Sequence, residues 1–416
     1  MSQQAIVQCG DKTVDWTDVA AISHWLKIWI SDLDEKSRKW GRKAWVPDPD
    51  MEHARLETSN IRSGAYSGED LEYFRQTLVI KGEIEFETML IHARNCESSD
   101  PRDKIYSILG LTGDAANDII VDYSLPVSAV AIQAFRKQVS QSKSLDALIW
   151  SQNPGRQESI PSWAPNLCSP FSIQSSRLKG KYSSLYAAAG SAQRKEQYTF
   201  LEDGITLHVQ ETAIFDTIQH VSPMLSQSRR QTDFLLDRVM SVWKPLVFEW
   251  LSKMKIEQKY ERFMSAITCD RDIRGRRLPK RNDGLDWGIF FKVAHLSIGA
   301  RTEFEYLALA VRRITFEGTT NGQTELNAWL NLCVESIDGR RIIMTSAGRI
   351  GLVPAETRTW DVVCLVGLDV PFILRKIDLN TYIVIGEAYI HGAMDGKIMS
   401  ARDASYTQQV QNIKLQ

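Results

Sequence analysis

Apolar positions in the first part of the chain recur at helical spacing. Phe86, Met89, Leu90 and Ala93 fall at i, i+3, i+4 and i+7, which lines one helix face. Val127, Val130, Ala131, Ala134 and Phe135 repeat that spacing, with Pro126 near the start of the helix they predict. Between these runs stands DPRDKIYSILGL. Asp100 suits an N-cap there, Pro101 the first helical position, Asp103 the first turn and Gly110 the C-terminal stop, so that Ile105, Ile108 and Leu109 share a buried face. The stretch from about Ala44 to Gly68, rich in Pro, Gly, Ser and Asn, predicts a long loop.

From about Tyr198 the pattern turns to strands. YTFLEDGITLHVQETAIFDTIQHV is rich in Thr, Val, Ile and Phe, and the Asp203-Gly204 dipeptide predicts a hairpin turn. Helical, tryptophan-bearing text returns from about Phe234 to Ile267 and runs into the basic stretch RDIRGRRLPKRNDG. RRIIMT, DVVCLVG, PFILRK and TYIVIG then follow at short intervals, separated by turn residues, as in a small antiparallel sheet or barrel. The fold class read from this order is α+β: an N-terminal helical region, then a small antiparallel β sheet or barrel with a helical insertion. The segments are a helical region over 1–165, a sheet module from 180–222 plus 310–400, a helical insertion with a basic loop over 223–309, and a polar, flexible tail over 401–416.

Composition narrows the function classes. A chain of 416 residues with 43% hydrophobic and 24% charged residues can bury a core without disulfide staples. Fifty basic against 51 acidic side chains leave a formal charge of −1, so no global field recruits nucleic acid or a membrane. Cys9, Cys96, Cys168, Cys269, Cys333 and Cys364 are scattered without a CxxC pair, as reduced thiols are. The N-terminal text has no signal-peptide pattern and no apolar run is long enough to span a bilayer, which makes the cytoplasm the simplest address.

Few residues offer chemistry. DPRDK (Asp100, Pro101, Arg102, Asp103, Lys104) packs two carboxylates and two cations into five residues, but helix-cap logic accounts for it without a ligand. Glu387, Tyr389 and His391 alternate on one face of a predicted strand and, with Asp361, are the acid/base candidates, against ordinary cross-strand roles. The other histidines show neither HxxxH nor HxH spacing, so no metal is expected, and no nucleophile elbow, Walker loop or dinucleotide fingerprint supports a cofactor. Arg271, Arg274, Arg276, Arg277, Lys280 and Arg281 are diluted by local acids and read as a solvated loop. Trp25 with Trp29, and Trp243 with Trp250, are spaced as core or interface anchors.

Several motifs in order carry a resemblance. DPRDKIYSILGLTGDA, VDYSLPVSAV and IPSWAPNL, which holds Trp163, are followed far downstream by a Pro-Phe-x-Leu-Arg step from Pro371 to Arg375. A Gly-Glu-Ala-Tyr-x-His-Gly step from Gly386 to Gly392 comes next. This series is similar to the C-terminal portion of fungal heterokaryon-incompatibility (HET) proteins, and QCGDKTVDWTDV and FMSAITCD are weaker echoes. The family's defining N-terminal HET domain, thought to be TIR-like and to carry cell-death signalling, would lie before Cys9, and the resemblance implies a chain lacking it. Trp360-Asp361 stands where the family usually has Gly-Asp, Lys397 where it usually has Glu, and Met264 and Ser265 replace an aromatic and an Arg. The resemblance implies a protein-interaction or regulatory role in non-self recognition, with other proteins, full-length relatives among them, as partners. The alternatives are an accessory, cyclase-like enzyme of a secondary-metabolite pathway and an inactive paralogue.

Overall fold

A computed structural model describes residues 6–9, 12–26, 68, 70–113, 119–151, 159–168, 185–190, 198–225, 238–271, 277, 332–398 and 409–416. The chain divides into two compact units, residues 1–89 with 108–117 and residues 90–107 with 118–416. In the smaller unit an unexpected hairpin precedes the helices. Strand β1 (Ile6–Cys9) pairs antiparallel with β2 (Lys12–Asp15), and Cys9 opposite Lys12 leaves a two-residue connection. The Asp15 carboxylate accepts the backbone N–H and hydroxyl of Thr17, capping a helix over 16–26. A second helix over 70–81 places Glu72 against the Trp16 indole N–H at 2.6 Å, and its bonds to Arg75 hold that carboxyl down to about 2. The long loop expected from Ala44 lies outside the described residues apart from Gly68.

The helix Phe86–Asn95 buries Phe86, Met89, Leu90 and Ala93 at their helical spacing. The DPRDK helix is shorter than its sequence suggests. Regular helix covers Asp103–Tyr106 only, and Asp100 leads in by accepting the Arg102 N–H at 2.9 Å. Gly110 is not the stop: it lies inside a 3₁₀ turn, Leu109–Leu111, and the left-handed glycine after it is Gly113, at φ 60°.

The helix Val127–Ser142 buries Val130, Ala131, Ala134, Phe135 and Val139, and Lys143 closes it in the left-handed conformation. Phe135 packs on the Trp163 ring at 5.0 Å, and Trp163 in turn meets Phe200 at 5.6 Å and donates its indole N–H to the Ile205 carbonyl. That cluster ties the helix to the hairpin formed by β3 (Tyr198–Phe200) and β4 (Leu207–Val221), whose turn is built on Asp203, with its carboxylate accepting from Ile205 and Thr206.

Strand β4, fifteen residues long, organises everything after it. Strands β5 (Arg340–Thr345), β6 (Ile350–Pro354), β7 (Val362–Leu365), β8 (Phe372–Asp378), β9 (Thr381–Glu387), β10 (Tyr389–Ile390) and β11 (Gln409–Leu415) join β3 and β4 in one sheet. β4 pairs with β7 through Ala213–Thr217 and with β11 through Leu207–Ile214; β11 pairs with β9, β9 with β8, and β8 with β7. The five strands β4, β11, β9, β8 and β7 therefore close into a ring, a barrel without free ends. The pairing of β11 with β9 is parallel and the others in the ring are antiparallel. From the far end of β4 the sheet continues through β5 and β6 to β10. Ala213, Ile218, Ile343, Val353, Val363, Leu365, Ile373 and Ile390 fill the core between.

The tail over 401–416 needs correction. Residues 409–415 are a barrel strand, with Ile413 and Leu415 fully buried between exposed Asn412 and Lys414, and the Gln416 carbonyl accepts the Ser162 N–H. Of the insertion expected over 223–309, the described part holds the helices Lys244–Trp250 and Ile256–Thr268 behind a π turn, Val239–Trp243, in which Trp243 is fully buried. The solvated basic loop is also corrected at its two described positions. Arg271 is buried, donating to the Thr268 carbonyl and to Ser336 Oγ, and Arg277 bridges Asp270 at 2.6 Å and Asp395 at 3.0 Å.

Candidate functional site

The four acid/base candidates fold into the barrel, but two of them are engaged by arginines. Glu387, at the end of β9, is fully buried and its Oε1 accepts from Arg340 Nη2 at 2.9 Å, while Arg340 Nη1 donates to the Glu387 carbonyl. Arg340 starts β5 opposite Pro354 of β6, so the pair reaches from β5 to β9. Asp361 accepts twice from Arg375 on β8 at 2.9 Å and once from the Arg358 N–H at 2.7 Å, which fixes the turn entering β7. A third pair, Asp216 of β4 with Arg349, has no signature in the sequence; its carboxylate also takes the Ser346 hydroxyl and the Ala347 and Thr217 N–H groups. Each carboxylate is matched by an arginine of its own fold, which is the arrangement a buried charge requires.

Tyr389 and His391 do come together. The tyrosine hydroxyl lies 3.4 Å from His391 Nδ1, an open contact, and the Tyr186 ring packs 6.5 Å from that of Tyr389. Tyr186 donates to the Cys269 carbonyl at 2.5 Å, and Arg277 lies over its ring at 5.3 Å. Cys269 and Asp270 both take left-handed conformations at the end of the helix Ile256–Thr268, with the Asp270 N–H returning to the Ser265 carbonyl, and this turn aims Asp270 at Arg277. Sequence spacing carries no sign of the cluster, because Tyr186, Asp270, Arg277 and Tyr389 belong to separate segments.

Burial sets the protonation states there. It pushes both tyrosine hydroxyls well above their ordinary range. It pulls His391 down to about 4, with Arg262, Arg277 and Lys397 adding to the effect, so the imidazole is neutral at physiological pH. A folded-state pKa below the ordinary 6.5 means that the unfolded chain takes the proton first as pH falls. Stability contributed by the neutral ring is intact above pH 6.5 and is lost between there and about pH 4. Chemical denaturation of the wild type across that window should show an acid loss larger by up to about 3 kcal/mol than that of His391→Gln.

The remaining motifs serve packing. Pro371 offers its carbonyl to the Ala388 N–H, Gly386 sits at the β8–β9 bulge with φ 145°, and Gly392 turns the chain after His391 at φ 84°. Arg102 grips Asp100 and donates to the Tyr123 and Leu125 carbonyls; Asp103 takes the Tyr123 hydroxyl, and Lys104 Nζ donates to the Arg94 carbonyl. Arg94 itself is buried against the Trp150 and Asn166 carbonyls, and burial lowers its guanidinium to about 9, which leaves it charged at neutral pH. Burial likewise raises the thiols of Cys269, Cys333 and Cys364, which removes them as nucleophiles at neutral pH. Among the described residues no group of three or more His, Cys, Asp or Glu is placed to hold a metal ion, and no helix is long and apolar enough to cross a membrane.

Comparison with known proteins agrees with this architecture. Residues 317–406 match the model of the Het-6 β-barrel domain. Strands β5 to β10 lie inside that match, whereas β4 and β11, which complete the ring, lie outside it. A stretch of 66 residues is 36% identical to heterokaryon incompatibility protein 6, OR allele, of Neurospora crassa, covering 15% of this chain and 10% of that protein. The chain thus aligns with only a small part of that relative's length, and no solved structure matches it. The region from β5 to β10 is thus similar to the Het-6 β-barrel domain, and with it this chain resembles the C-terminal portion of heterokaryon-incompatibility proteins.

Proposed function

We propose that the chain acts through protein contacts in fungal heterokaryon incompatibility, with full-length HET-family relatives among its partners. The observation that carries this reading is the Het-6 β-barrel match over residues 317–406, in a fold whose candidate carboxylates Glu387 and Asp361 are engaged by arginines. A barrel held in this way offers a rigid surface and commits those two acids to structural ion pairs instead of to proton transfer. Pairing a deletion strain against a panel of tester strains is the direct test. At least one pairing that is incompatible with the gene present is expected to give a stable heterokaryon without it, and unchanged outcomes across the panel would overturn the reading.

A second reading, acid/base catalysis for a small-molecule pathway, is favoured by one observation, the contact between the Tyr389 hydroxyl and His391 Nδ1. Tyr389→Phe removes the hydroxyl and keeps the ring. Full restoration of incompatibility by the Tyr389→Phe gene in the deletion strain is expected, and it counts against catalysis.

A further inference from the structure

Cys96 and Cys168 are exposed, in contrast to the buried Cys269, Cys333 and Cys364, and both lie about one lysine. Cys96 is the first residue past the helix Phe86–Asn95, two positions on from Arg94, whose carbonyl accepts Lys104 Nζ at 3.1 Å. The side chain of the same arginine reaches the other thiol's segment: Arg94 Nη2 donates to the Asn166 carbonyl at 3.1 Å, and Asn166 Oδ1 accepts the Cys168 N–H at 3.0 Å. Three hydrogen bonds through Arg94 and Asn166 therefore hold the end of the helix, the lysine and the turn at Cys168 in one neighbourhood.

The lysine is coupled to both sulfurs. Burial and the Arg94 guanidinium hold the Lys104 ammonium below its ordinary range, and negative charge on Cys168 and on Cys96 acts the other way. That attraction is mutual, so the ammonium stabilises charge that develops at either sulfur. Neither thiol belongs to a helix or a strand, and Cys96 Sγ is held only by a long contact to the His92 carbonyl at 3.6 Å. The Cα separation of roughly 4.4–6.8 Å that a disulfide needs can therefore be reached by movement of two turns, with the helix Phe86–Asn95 and the buried Trp163 left in place.

We propose that Cys96 and Cys168 form a peroxide-responsive modification site, closed by a reversible disulfide, with Lys104 as its positioning residue. One thiolate attacks a peroxide oxygen: an S–O bond forms, the O–O bond breaks, and the departing hydroxide takes up the proton that the thiol released. The second thiolate attacks the sulfenic sulfur: the S–S bond forms, the S–O bond breaks, and hydroxide leaves as water with the second thiol's proton. Two thiols and one hydrogen peroxide give one disulfide and two waters, with two electrons passing from sulfur to oxygen. Cys269, Cys333 and Cys364, whose thiols burial keeps protonated, stay out of the reaction. The site goes beyond the protein-contact reading above and stands without it.

The test treats the purified, fully reduced full chain with hydrogen peroxide, then digests it without reductant for mass spectrometry. A peptide pair joined through Cys96 and Cys168 is expected, and dithiothreitol should split it again. Cys96→Ser and Cys168→Ser, both at exposed positions, should each abolish the pair and leave on the remaining thiol a sulfenic acid that dimedone traps. Lys104→Met should form the disulfide at least about threefold more slowly, and Lys104→Arg should recover most of that rate. Oxidation of the wild type that stops at separate sulfenic or sulfinic acids, or a disulfide that uses any other cysteine, overturns the site. Equal rates for the wild type and Lys104→Met overturn the lysine's part in it.

Discussion

Replacing Glu387 by Ala should remove about 3–5 kcal/mol of unfolding free energy, measured by urea denaturation at neutral pH. The cost does not come from the attraction between Glu387 and Arg340 as such. Both groups are out of water, with side chains 0% and 3% exposed, and the attraction roughly offsets what their dehydration costs. Deleting the carboxylate takes away the acid 2.9 Å from a guanidinium buried beside β9, and that is the larger penalty. The double replacement Arg340→Met with Glu387→Leu supplies the internal control, because two apolar side chains need no partner. It should recover most of the loss. A double variant as unstable as the single one would mean that the pair contributes through shape or register, not through charge.

Ile413→Asp is the second large effect expected, a loss on the order of 4–5 kcal/mol with much of the protein insoluble on expression. Ile413 is fully buried opposite Val209, on the strand that stands between β4 and β9. An aspartate there loses the isoleucine's burial and places a carboxyl in an apolar setting, where either protonation state pays for desolvation, and displacement of β11 would bare the edges of both neighbours. Val410→Asp on the same strand is the contrast. Val410 is 48% exposed, so its replacement should stay within about 0.5 kcal/mol of the wild type. Equal effects at the two positions would contradict the inward and outward alternation of β11.

These two variants also mark what is legible in the sequence. Glu387 is visible as a residue of a strand face, but its partner is not, because Arg340 lies 47 positions away and nothing in local periodicity couples the two. The strands Arg340–Thr345 and Thr381–Glu387 are legible because apolar, β-prone residues dominate them and turn residues bound them. β11 is not. Its apolar content is confined to Val410, Ile413 and Leu415 in polar text, and composition outweighs the short Asn-Ile-Lys-Leu alternation that carries the signal. The helix over Phe86–Asn95 follows from its stripe alone. The end of the DPRDK helix does not follow from its glycine, because a 3₁₀ turn after Tyr106 keeps the chain turning without left-handed closure at Gly110. Of the candidate site, Tyr389 and His391 are found by their spacing, whereas Tyr186, Asp270 and Arg277 reach them only through tertiary folding.

The ring of strands sets an order of events in synthesis. β4 and β11 meet across about 200 residues of chain, from Leu207 to Leu415, so the staves made early must wait for the one made last. During translation β4, and then β7, β8 and β9, emerge from the ribosome with one edge unsatisfied, and closure is possible only after Leu415 has cleared the exit tunnel. Nascent chains stalled before that point present an open β edge to each other and to chaperones.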